Sequence, residues 1–164
     1  MTASDQRPLL FLDVDGPLIP FRSRPTQRVS VTDQPGNPLL DRLDPADGRR
    51  LLALGCRLMW ATTWMSDAND VVAPRLGLPP LPVVDFPDEG IPERGLHWKT
   101  MSLIRRAAGT PFIWLDDEMT EADQRWVRIH HPGPALLHQV DPLIGLTDTD
   151  FATLRRWLAD RIGP

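Results

Sequence analysis

Several residue types are nearly missing from this chain of 164 residues, and each shortage excludes something. One cysteine, Cys56, rules out an internal disulfide framework and a multi-cysteine zinc site. No apolar run approaches the roughly 18 residues that span a bilayer. The N-terminus lacks a basic segment followed by a long apolar one, so no secretory leader is expected and a cytoplasmic location is. Tyrosine is absent, and lysine occurs once, at Lys99; arginine supplies every other basic side chain. The formal charge of −4 argues against a general nucleic-acid binder, though not against a local basic patch.

What remains is a foldable, proline-rich composition. Hydrophobic residues make up 41% of the chain, enough for one domain with a full core, expected over residues 1–164. Residues 9–14 form a continuous apolar run closed by Asp-Gly, as in a strand covered on both faces. Similar runs begin at Arg57, Phe112 and Ala135, with a shorter one at residues 83–86. Helical spacing lies between them: from Asp44-Pro45 to Gly55, from Ser66 or Asp67 to Gly77, from Trp98 to Gly109, and from Thr120 to Ile129. Thr147 and Asp150 have capping-box spacing at the start of a last helix, with Phe151, Leu154, Leu158 and Ile162 on one stripe. Alternating strands and helices predict an α/β, Rossmann-like three-layer sandwich with a mainly parallel central sheet. An irregular flap is expected over residues 17–38, with a β-like patch at 28–32. A stiff proline-rich loop is expected over 79–95.

In such sheets ligands gather beyond the carboxyl ends of the strands. Three of the predicted ends are polar. Asp13-Val14-Asp15-Gly16 places two carboxylates at positions i and i+2, which share a face on extended chain, beside a glycine that permits a sharp turn. Converging carboxylates repel, so a hard cation such as Mg²⁺ is expected between them. A surface Asp-Gly turn is the plainer explanation of that tetrapeptide alone. Asp116-Asp117 is a second acidic pair at a second strand end, and two such pairs are a less ordinary accident. Thr62 and Thr63 end another strand, where a hydroxyl can donate to a phosphate oxygen. Lys99 opens a helix, where its charge opposes the macrodipole, and that locally unfavourable placement suggests a task.

Taken in order, Asp13-Val14-Asp15-Gly16, Thr62, Lys99 and Asp116-Asp117 resemble the four motifs of haloacid-dehalogenase (HAD) superfamily hydrolases of the phosphatase type. The wider pattern Trp60-Ala61-Thr62-Thr63-Trp64, Leu76-Gly77-Leu78-Pro79, Trp98-Lys99-Thr100, Trp114-Leu115-Asp116-Asp117-Glu118 and Gly145-Leu146-Thr147 is similar to the branch first described in Swiss-army-knife RNA repair proteins. The resemblance implies that Asp13 attacks phosphorus to form an aspartyl-phosphate and that Asp15 serves as acid and then base. It implies that Thr62 holds a phosphoryl oxygen and that Lys99 offsets charge. It also implies that Asp13, the Asp15 carbonyl, Asp116 and Asp117 bind Mg²⁺. Gly16, Thr63, Arg22 and Arg24 are the expected substrate contacts, with Arg28 further along the flap.

Neither interval between Asp13, Thr62 and Lys99 leaves room for a large cap domain once its helix is counted, so a capless or minimally capped site is expected. The expected substrate is a phosphomonoester, either a small molecule such as a nucleotide or a nucleic-acid end, with no membrane partner. Trp64 and Trp98 flank the motif residues, placed either to stack on a base or to pack under the loops. No histidine has ligand-like spacing. Two rivals share the fold: a phosphotransferase, and a non-catalytic binding protein, against which the intact motif set weighs.

Overall fold

The computed structural model describes residues 6–22, 38–86 and 95–162. Four parallel strands, β1 (Leu9–Leu12), β2 (Arg57–Trp60), β3 (Phe112–Asp116) and β4 (Ala135–Gln139), form one sheet in the order β2-β1-β3-β4. Leu9 to Leu12 align with Arg57 to Trp60 on one side and with Phe112 to Leu115 on the other. The helices are α1 (Pro45–Ala53), α2 (Ala73–Leu76), α3 (Thr100–Ala107), α4 (Glu121–His130) and α5 (Asp148–Ile162).

Neighbouring strand residues point to opposite faces, and both faces are dry. Leu10, Leu12, Leu58, Trp60, Ile113 and Leu115 pack with Leu51 of α1, Leu76 of α2 and the Phe151, Leu154 and Leu158 stripe of α5. Leu9, Phe11, Met59, Phe112, Trp114 and Leu137 pack with Leu103 of α3 and Val127 of α4. This is the expected α/β, Rossmann-like three-layer sandwich. Double burial is why the strands read as unbroken apolar runs. Among the described residues the crossovers hold these helices and loop, with no added layer over the carboxyl edge of the sheet.

Local chemistry sets most element ends. Asp44 accepts from Ala46 N–H at 2.9 Å ahead of Pro45 and starts α1. The Thr147–Asp150 capping box forms, with Thr147 N–H donating to Asp150 Oδ2 at 2.8 Å and Asp150 N–H to Thr147 Oγ1 at 3.3 Å. Gly48 marks a contact no local rule foresees. A Cβ there would lie 1.8 Å from the Leu76 carbonyl oxygen, so α1 meets the end of α2 only because this residue has no side chain.

Three expectations need correction. The helix expected from Ser66 or Asp67 to Gly77 is interrupted: Ala68–Val72 is a π turn, Asp67 makes no side-chain cap, and α2 follows. Pro74 has no N–H for the i−4 bond, and its ring crowds that carbonyl, so the wider turn precedes it. The strand expected at 83–86 is a single parallel bridge between Trp60 and Val83. Pro79, Pro80 and Pro82 cannot donate to a longer ladder. Asn69 pins this loop instead: its Oδ1 accepts from Trp60 Nε1 and Leu81 N–H, and its Nδ2 donates to the Leu81 carbonyl. The third helix starts at Thr100 rather than Trp98. The flap's β-like patch lies outside the described residues. The described base of the flap is anchored by Phe21 N–H to the Pro142 carbonyl at 2.7 Å and by Arg42 Nη1 to the Pro20 and Phe21 carbonyls.

Candidate active site

The strand order converts distant sequence into one cluster. β1 lies between β2 and β3; the chain crosses from β1 to β2 on one side and then from β2 past β1 to β3 on the other. The crevice where the connections part is where α/β sheets bind ligands. Asp13 follows β1, Thr62 follows β2 and Asp116 ends β3, so all three stand at that edge of the sheet; Asp13 and Asp116 line the cleft, whereas Thr62 is fully buried.

Lys99 is the hub. It is 3% exposed, and its Nζ lies 2.8 Å from Asp116 Oδ2 and 3.3 Å from Asp13 Oδ1. Carboxylate oxygens of Asp13, Asp116 and Asp117 all lie within 4.8 Å of one another. Asp116 Oδ1 accepts the Asp117 and Glu118 backbone N–H groups, which fixes the acidic turn. Asp13 Oδ1 accepts from Val14 N–H at 2.9 Å.

Three carboxylates against one ammonium leave surplus negative charge in a poorly hydrated place. Burial pushes Asp13 up to about 8, against the pull of Lys99 and with the push of Asp116. Asp117 rises to about 6, from burial and then from Asp116. Burial alone would also raise Asp116, but the Lys99 charge and hydrogen bond outweigh it and hold that carboxyl below its ordinary value. A hard divalent cation among these oxygens removes the imbalance, and an all-carboxylate set suits Mg²⁺ better than a soft metal.

Asp13 and Asp15 do not share one strand face as their spacing suggested. β1 stops at Leu12, Asp13 is buried and Asp15 is exposed, though both line the same cleft of about 190 Å³. Asp15 Oδ2 instead accepts from Trp64 Nε1 at 3.1 Å. Gly16 has φ +100° and donates its N–H to the Ile19 carbonyl. A Cβ there would lie 2.9 Å from Asp117 Cβ, so glycine lets the two acidic turns touch. Thr62 is fully buried and its Oγ1 accepts from Trp64 N–H at 3.2 Å, whereas Thr63 lines the cleft. Arg22 is exposed and does not line the cleft; Arg24 and Arg28 lie outside the described residues.

Phe21, His97 and Asp123 are additions that motif logic passed over. Phe21 and Trp98 both line the cleft and remain 54% and 44% exposed. Trp98 is braced by Phe86 edge-on at 4.9 Å and by His97 stacked at 5.7 Å, and Lys99 Nζ sits 5.4 Å from its ring centre. His97 Nδ1 accepts from Lys99 N–H at 3.1 Å, and burial lowers its pKa, so it sits neutral beside Lys99. Buried Asp123 accepts from His97 N–H at 2.8 Å, Thr100 Oγ1 at 2.6 Å and Thr120 N–H at 2.9 Å. It thereby ties the start of α4 to the turn that carries Lys99. Thr120-x-x-Asp123 has capping-box spacing, a signal in the sequence that could have found it.

The family model described as the HAD domain in Swiss Army Knife RNA repair proteins matches residues 9–151. The chain belongs to this family. No curated protein and no solved structure shows significant similarity to it. Membership in the HAD superfamily supports a hydrolase of the phosphatase type. HAD domains typically use Mg²⁺, and the carboxylate cluster of this one is compatible with that ion. Among the described residues of the HAD domain, no helix is long and apolar enough to cross a membrane.

Proposed function

We propose that this HAD domain is a Mg²⁺-dependent phosphomonoesterase that works through an aspartyl-phosphate on Asp13. The observation that carries the proposal is the Lys99 ammonium held between Asp13 and Asp116 at the floor of an open acidic cleft. In the first step an Asp13 carboxylate oxygen attacks phosphorus, the ester P–O bond breaks, and the departing alkoxide oxygen takes the proton of Asp15. In the second, water attacks the phosphorus of the aspartyl-phosphate, the P–O bond to Asp13 breaks, and the water's proton passes to Asp15. A carboxylate is an established covalent nucleophile, and phosphoryl transfer depends mainly on positioning and charge stabilisation.

Lys99 neutralises charge on Asp13 and the incoming phosphoryl group. Thr62, whose Oγ1 accepts from Trp64 N–H, would hold a phosphoryl oxygen from its buried position, and Thr63 offers a hydroxyl that lines the cleft. Asp13, the Asp15 carbonyl, Asp116 and Asp117 would hold Mg²⁺, which when bound supplies charge neutralisation and a template for the phosphoryl oxygens. The favoured substrate is a nucleotide or a nucleic-acid end. The exposed rings of Phe21 and Trp98 on the cleft, the lack of an added layer among the described residues and the family's tie to RNA repair proteins support that choice. A cytoplasmic setting suits such a substrate.

The test is Mg²⁺-dependent phosphate release from an aryl phosphate, then from nucleotides and from 3′- or 5′-phosphorylated oligonucleotides, with Asp13→Asn alongside. Wild-type turnover, trapping of labelled phosphate on the wild-type chain and loss of both in Asp13→Asn are expected. Equal activity in the two proteins would remove Asp13 from its role.

A further inference from the structure

Trp64 stands just beyond β2, between two motif residues it connects. Its backbone N–H donates to Thr62 Oγ1, and its indole Nε1–H donates to Asp15 Oδ2 at 3.1 Å. The ring itself is half-buried against the core face that contains Trp60 and Leu76. The next residue, Met65, has φ +51°, a left-handed conformation that a non-glycine side chain resists. Met65 N–H donates to the Thr62 carbonyl and Asp67 N–H to the Trp64 carbonyl, so the strained turn is closed by hydrogen bonds at both ends. Backbone strain held in this way at the mouth of a cleft maintains a particular side-chain placement.

We infer that Trp64 is a positioning residue that assigns the two oxygens of Asp15 to separate tasks, an inference that rests on the phosphatase reading above. An indole N–H can donate and never accept. Asp15 Oδ2 is therefore held as the acceptor, and the indole fixes the carboxyl so that Oδ1 is the oxygen left free to exchange a proton with substrate and water. When the ester bond breaks, Oδ1 delivers that proton to the departing oxygen; when water attacks, Oδ1 takes one back. Asp15 is exposed, so without the indole its carboxyl would be free to rotate and present either oxygen.

General acid catalysis matters most for a poor leaving group, which gives the test its contrast. The full chain, Trp64→Phe, Asp15→Asn and the double variant are compared on 4-nitrophenyl phosphate and on glycerol phosphate. Phenylalanine keeps most of the packing and removes the donor. The expected loss in kcat for Trp64→Phe is about tenfold greater on the alkyl ester than on the aryl ester, a modest part of the roughly 10²- to 10⁴-fold that general acids contribute. In the Asp15→Asn background the same substitution should add no further leaving-group dependence. Equal losses on both esters would make Trp64 merely structural and overturn the inference. If Trp64→Phe does not fold, the wild-type and Asp15→Asn chains are compared by the Trp64 indole N–H resonance, which should shift on loss of the carboxylate; an unmoved resonance overturns the inference. A wild-type chain inactive on both esters and on phosphorylated nucleotides overturns the phosphatase reading first, and this inference with it.

Discussion

Replacing Lys99 with methionine should cost this protein more stability than almost any other single change. The ammonium lies 2.8 Å from Asp116 Oδ2 and 3.3 Å from Asp13 Oδ1 while only 3% exposed. At an effective dielectric near 20, the separation from Asp116 corresponds to an attraction of roughly 6 kcal/mol, most of it offset by the desolvation of the two charged groups. Asp13 is pushed up to about 8, so in metal-free buffer at pH 7 it is mostly protonated and Asp116 is the charge left stranded. Removing one partner of a buried pair costs about 3–5 kcal/mol. Methionine preserves the stem's packing, so the loss is electrostatic. With a urea slope of about 2 kcal/mol per M, the midpoint should fall by about 2 M. The pH dependence has a definite sign. Asp116 titrates below its ordinary value in the folded chain, so the stability it draws from Lys99 is present above the unfolded carboxyl pKa and is lost as pH falls through the folded one. The gap between wild type and Lys99→Met should therefore be wide at pH 7 and close in acid. Urea unfolding with chelator present, at pH 7 and in acid, decides it. A midpoint shift under about 0.5 M, or a gap that stays constant in acid, would refute the buried ion-pair argument.

Two further changes probe the site and its scaffold. Gly16→Ala must place a side chain at φ +100° and within 2.9 Å of Asp117 Cβ, so it should lose about 1–3 kcal/mol and weaken Mg²⁺ binding measured by calorimetry. Unchanged melting and affinity would show that the two acidic turns do not need their close contact. Asp150→Ala removes the Asp150 half of the capping box of α5 and the 2.7 Å contact with His138 Nε2, for an expected loss of about 1–2 kcal/mol in urea unfolding. Burial would raise Asp150, but its His138 and Thr147 hydrogen bonds outweigh that and lower it, so the difference from wild type should hold at neutral pH and shrink as pH falls through the folded value. A difference that grows in acid would contradict that assignment.

Where the sequence anticipated structure well, the cause was local. Asp44-Pro45 and Thr147-x-x-Asp150 specify helix starts through bonds made within a few residues. The strands at Arg57 and Phe112 announce themselves because a doubly covered strand has no polar face to interrupt the run, while the half-buried edge strand at Ala135 shows a shorter one. Where it misled, the deciding contact was remote or two local rules competed. Pro74 converts part of a regular helix into a π turn, and the prolines before Val83 reduce a strand to one bridge. His97 carried no recognisable spacing, because Trp114 and Asp123 reach it from distant parts of the chain. Trp64 was legible as a residue near the motifs, but its partner Asp15 is reached only across the cleft.

The sequence by itself determined the alternation of doubly buried strands with capped helices, and with it the α/β sandwich, because periodicity and end chemistry are short-range. It also determined which residue types stand beyond the strand ends. Tertiary structure alone decided how those residues meet. The order β2-β1-β3-β4 sets Asp13 between Thr62 and Asp116, and Asp123 anchors the turn that brings Lys99 to the two acids. The early stop of β1 separates a buried Asp13 from an exposed Asp15. Sequence spacing measures distance along the chain; charge, burial and hydrogen bonding act through space, and only the folded sheet supplies that geometry.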